Sequence, residues 1–142
     1  LAGWLPQNLV QFSLLFPKIK LIYIVRSLKD CVCSAKGAGH IHALPEVQQY
    51  AQLWQQNQQF IAQHFPKNRL LWLPYEKLLS QTPDCIQQLE TFSGAADIDP
   101  TVLNYKINTT ADPTTEISTM NGYERPFELT KEEQQLLAAF LT

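Results

Sequence analysis

Charge is scarce in this sequence. Asp, Glu, Lys and Arg make up 17% of 142 residues, and 11 basic against 13 acidic side chains leave a net charge of −2. A chain so balanced has no general attraction for nucleic acid or for anionic membranes, so any basic residue with a function has to act locally. Cysteine is scarce too: Cys31, Cys33 and Cys85 are the three present. They are too few and too unevenly placed for a disulfide framework, and they fit a reducing compartment, hence a cytoplasmic location. No apolar run approaches the ~18 residues that a membrane span needs. The longest near-apolar stretch, Leu21 to Val25, has the length of a strand. The first residue is Leu1 rather than Met, which leaves a targeting segment undecided.

What is present suits a globular domain. Hydrophobic residues form 45% of the chain, and at this length one core is expected to hold residues 1–142 as a single domain. Leu9, Phe12, Leu15 and Phe16 recur at helical spacing ahead of Pro17, which predicts a helix over 5–16. The run 19–25 is apolar and β-branched without polar alternation, as expected of a strand covered on both faces of a parallel sheet. Ser27 is an N-cap candidate, with Asp30 in the first turn, for a helix that ends at Gly37-Ala38-Gly39.

Pro45 opens a long helix to about Phe65, on which Val47, Tyr50, Ala51, Trp54, Asn57, Phe60, Ile61 and His64 share a face. A second strand follows at 70–73, and the absence of a tight turn between the strands predicts a right-handed parallel crossover. Pro83 to Phe92 reads as a helix stopped by Gly94, and 97–122 as a long surface loop. Thr130 to Glu133 forms a capping box for a final helix.

The chemistry is concentrated where the first strand meets its helix. Arg26 stands at the strand's carboxyl end and Ser34 eight positions further on. Ligands of open α/β sheets bind at that end. A guanidinium there offers a planar fork for phosphate, and a helical hydroxyl with the helix's own amides completes an anion site. A strand-end salt bridge and an ordinary helical serine are the plainer alternatives.

This segment resembles the 3′-phosphate-binding motif of sulfotransferases that use PAPS (3′-phosphoadenosine-5′-phosphosulfate). Arg26 and Ser34 match its Arg and Ser, and Asp30 its later acid; Ser27-Leu28 replaces the usual Asp-Pro turn. The likeness continues through Phe16-Pro17, through Trp54 with Asn57, and through Pro74-Tyr75-Glu76-Lys77-Leu78-Leu79, which is similar to the family's Tyr-Glu-Asp-Leu element. Phe92-Ser93-Gly94 and the segment Ser118 to Phe127 fall in the family's order as well.

The resemblance implies a three-layer α/β fold of the P-loop type, a parallel sheet flanked by helices. It implies sulfuryl transfer from PAPS to a hydroxyl or amine of a small-molecule, carbohydrate or protein acceptor, without a metal. Arg26 and Ser34 would bind the 3′-phosphate and Tyr75 the adenine nucleotide; Trp54 reads as core. No catalytic residue is assigned. The loop that holds the 5′-phosphosulfate, with its Lys and Ser or Thr, has no counterpart before the strand at Leu21, so the chain is expected to be the later part of such an enzyme. Arg125, or amides near Gly122, would stand in for a missing Arg-Lys-Gly triplet.

Two readings compete: a non-catalytic nucleotide-binding module that retains the 3′-phosphate pocket, and a small kinase. A kinase needs an Asp at a strand end, which neither strand supplies. Cys31, Cys33, His40 and His42 suggest zinc, but residues two apart on a helix point about 200° apart, so the two sulfurs cannot share one ion. His40 and His42 read as loop residues, Glu76 as the start of a short helix, and Asn108-Thr109-Thr110 as a nominal glycosylation triplet with no secretory signal to support it.

Overall fold

The computed structural model describes residues 6–101 and 128–141. The predicted loop over 97–122 therefore lies largely outside the described residues, as do Asn108, Gly122, Arg125 and the segment Ser118 to Phe127. The described elements are α1 (Pro6–Leu15), β1 (Leu21–Val25), α2 (Leu28–Gly37), α3 (Leu44–His64), a 3₁₀ turn (Lys67–Arg69), β2 (Leu70–Pro74), α4 (Tyr75–Leu79), α5 (Pro83–Ser93) and α6 (Lys131–Ala138). β1 and β2 pair in parallel as a two-stranded sheet. The class is α/β, as the strand–helix–strand pattern predicts.

The chain divides into two compact units. The first comprises Leu1–Ile22, Arg26–Leu71 and Arg125–Thr142. Its core is built by α2, α3 and α6: Leu28, Val32 and Ala35 come from α2, Val47 and Ala51 from α3, and Leu137 from α6, closed by Ile41 and Leu129. The α2 residues follow i, i+4, i+7 spacing, so they form one stripe, and each buried aliphatic contributes about 1.5–3 kcal/mol. Tyr50 and Trp54 are half-buried against the same cluster, while His64 is exposed and stacks on Phe60 with ring centroids 4.2 Å apart.

Helix α1 packs on α3, and the face its apolar spacing predicts is covered only in part: Leu9 and Phe12 are half-buried. Leu15 is 75% and Phe16 50% exposed, whereas Ser13 is buried. Burial is tolerable because the Ser13 hydroxyl donates to the Val10 carbonyl at 2.7 Å, leaving no unmet donor.

The second unit comprises Tyr23–Val25 and Trp72–Glu124. Tyr23 and Trp72 meet edge to face with centroids 4.8 Å apart, and Leu73 and Cys85 are buried. α4 packs on α5. Helix α5 begins with Pro83 in its first turn and closes at Gly94, whose φ of +79° suits glycine.

β1 departs from expectation. Its residues alternate between partial burial and exposure, with Ile24 52% and Ile22 37% exposed. Among the described residues, coverage of both faces is thus not found around β1. An uninterrupted apolar run records that a strand is fit for two-sided burial; it does not supply the covering layer.

Candidate functional site

Arg26 is the residue between the last residue of β1 and the N-cap of α2. It is partly exposed. A carbonyl at such a junction belongs to neither the sheet ladder nor the helix, so it needs a side-chain donor. The Trp54 indole N–H, from α3, donates to the Arg26 carbonyl at 3.3 Å. The Cys31 thiol lies 3.8 Å from the same oxygen as a weak donor. Tyr50, one turn before Trp54 on α3, lies within the electrostatic reach of this turn. Burial pushes its phenol up, Cys31 adds to the rise, and the Arg26 charge works against it.

The start of α2 is closed by its own residues. Ser27 Oγ accepts the Asp30 amide at 3.1 Å, and its hydroxyl donates to the Asp30 carboxylate at 2.6 Å. That amide is therefore in use, and a carboxylate already occupies the positive end of the helix dipole. An anion bound nearby is better served by the Arg26 side chain and by the flank of α2 than by the helix tip. Ser34 lies on that flank, partly buried, roughly 10 Å along the axis from Ser27 at 1.5 Å per residue. The Arg26–Ser34 pairing is thus one of sequence spacing on a common strand–helix unit; no direct bond links the two side chains.

Tyr75 is the first residue of α4, immediately after β2, and is half-buried in the second unit. Glu76 follows in the first turn of the same short helix. His40 and His42 are exposed loop residues, and the His42 amide is held by the Glu46 carboxylate. Burial pushes the Cys33 thiol up, with Asp30 adding to the rise, and burial does the same to Cys85, which disfavours the thiolate at both. Among the described residues no cluster of three His, Cys, Asp or Glu side chains is placed to hold a metal. No helix among them is long and apolar enough to cross a membrane.

A cavity of about 290 Å³ in the first unit is lined by Leu9, Phe12, Ile19, Lys20, Leu21 and Phe65. None of the predicted site residues lines it.

Two long-range contacts escaped the sequence reading. Arg69 Nη1 approaches the carbonyls of Pro17 at 2.7 Å, Ser13 and Phe16 at 3.3 Å, and Ile19 at 3.4 Å, so it closes the end of α1 and the turn into β1. Lys36 and Glu133 form an almost fully buried ion pair between α2 and α6. These partners lie some fifty or ninety-seven residues apart in the chain, and no local spacing announces such contacts.

The sequence matches the sulfotransferase domain family over residues 3–125. The chain belongs to that family. The matched span contains Arg26, Ser34, Trp54 and Tyr75, and a sulfotransferase domain is associated with sulfuryl transfer in general. No curated protein and no solved structure matches the chain.

Proposed function

We propose that this sulfotransferase-family chain forms one domain that takes its sulfuryl group from PAPS and passes it to a hydroxyl or amine of a small-molecule, carbohydrate or protein acceptor. The observation that carries the reading is the position of Arg26: a partly exposed arginine at the carboxyl end of β1, on a turn held by α3, inside the span that matches the family. The residues fit a phosphate-bearing nucleotide. Arg26 supplies charge and a bidentate fork and Ser34 a hydroxyl on the adjacent helix flank; the family resemblance alone assigns Tyr75, the first residue of α4, to the adenine nucleotide. The parallel pair of strands would form part of the three-layer, P-loop-type sheet that the family resemblance implies.

In this reading the donor supplies the activated sulfuryl group, and Arg26 and Ser34 grip the phosphate that does not react. Their work is orientation. Holding the nucleotide by a remote phosphate sets the line along which the acceptor must approach, and it selects a 3′-phosphorylated nucleotide over one without that group.

The test is to incubate the protein with PAPS and acceptors bearing a phenol, a sugar hydroxyl, a sugar amine or a tyrosyl peptide. Release of adenosine 3′,5′-bisphosphate that depends on one acceptor supports the reading. Nucleotide binding without turnover on any of them would favour the binding-module alternative, and no nucleotide binding would remove both.

A further inference from the structure

Trp54 is placed to do more than fill the core. Its ring packs against the cluster of Leu28, Val32, Val47 and Ala51, yet its one polar atom is directed at the turn that carries Arg26. The Arg26 carbonyl lies in the peptide plane joining Arg26 to Ser27. Holding that oxygen fixes the orientation of the plane between the strand and the helix cap, because the peptide unit is rigid. Beyond that plane, the Ser27 side chain caps α2 by accepting the Asp30 amide. The backbone from which the Arg26 side chain departs is therefore held from α3 beside a capped α2, and Arg26 as a residue is partly exposed.

We infer that Trp54 is a positioning residue for the anion site: its indole N–H, by holding the Arg26 carbonyl, sets the direction in which Arg26 presents its guanidinium to a 3′-phosphate. The inference rests on the reading of Arg26 as the phosphate-binding residue. A pre-set arginine loses less freedom on binding than one on a loose turn, so removing the indole donor weakens recognition of the phosphate without touching the ligand. Tyr50, a turn earlier on the same helix, shares the neighbourhood of Arg26 but makes no contact on which the inference depends.

Selectivity is the readout that separates positioning from general weakening. Affinities for adenosine 3′,5′-bisphosphate and for adenosine 5′-monophosphate are measured by calorimetry on the wild type, Trp54→Phe and Arg26→Ala, and the ratio of the two is taken for each. The ratio is insensitive to any loss of folded protein, since both ligands meet the same folded fraction. The inference expects Arg26→Ala to erase most of the preference for the 3′-phosphate, and Trp54→Phe, which keeps an apolar ring, to lower it about fivefold. A Trp54→Phe ratio equal to wild type beside a collapsed Arg26→Ala ratio overturns the inference and leaves the site standing. A wild-type ratio in Arg26→Ala overturns the site, and the inference with it.

Discussion

The Lys36 ammonium on α2 donates to the Glu133 carboxylate on α6, and both side chains are almost wholly removed from water, at 8% and 5% exposure. The other oxygen of Glu133 accepts the Thr130 amide at 2.8 Å, so one carboxylate caps α6 and ties it to α2. Breaking a buried ion pair by removing one partner costs about 3–5 kcal/mol. Glu133→Gln keeps a capping acceptor but removes the negative charge that faces Lys36, and it should lower the urea-unfolding free energy by about 3 kcal/mol. Lys36→Met with Glu133→Gln removes both charges, and the double variant should be more stable than Glu133→Gln alone.

The same pair predicts acid sensitivity. Burial pushes Glu133 up, but the hydrogen bonds from Lys36 and Thr130 outweigh it, and the carboxyl stands below its ordinary 4.5. The unfolded chain therefore takes up the proton first. The stabilisation is complete above about pH 4.5 and is lost as pH falls through the lower folded value. Urea midpoints measured downward from pH 6 should decline in this window for the wild type and more shallowly for Glu133→Gln.

Arg69 predicts a second stability effect, far from the candidate anion site in sequence. One nitrogen cannot serve four carbonyls at full strength, so the 2.7 Å bond to Pro17 carries most of the contact. Hydrogen bonds to a charged group contribute about 1.5–3 kcal/mol, and Arg69→Ala should lower stability by about 2 kcal/mol in chemical denaturation. Arg69→Lys should recover only part, because an ammonium lacks the planar fork.

Ser34 predicts a binding effect without a stability effect. It lies on the flank of α2 rather than in the buried stripe of Leu28, Val32 and Ala35. Ser34→Ala should weaken adenosine 3′,5′-bisphosphate by about fivefold to tenfold, the scale of one hydrogen bond to a charged group, with an unchanged thermal midpoint. An unchanged affinity would take Ser34 out of the site and leave Arg26 in it.

Most elements were legible because their signals are local. Ser27 and Thr130 act as N-caps as their contexts predict, Pro45 and Pro83 sit in the first turns of α3 and α5, and Gly94 closes α5. The face of α1 was misread in part because hydrophobicity alone selects Leu15 and Phe16, whereas a self-satisfied serine took the buried place. The exposure of Ile24 was hidden because an apolar strand reads the same with or without a covering layer. Of the site, Arg26 and Ser34 were visible as a spaced pair, but the bond from Trp54 was not, since it joins residues twenty-eight apart through tertiary packing.

The central claim is that Arg26 reads the 3′-phosphate, and titration calorimetry with adenosine 3′,5′-bisphosphate tests it most directly. Measurable binding by the wild type, weakened at least tenfold or lost in Arg26→Ala with the thermal midpoint retained, is the predicted result, on the scale of about 1.5–3 kcal/mol for charged hydrogen bonds. Equal affinity in the two proteins would contradict it.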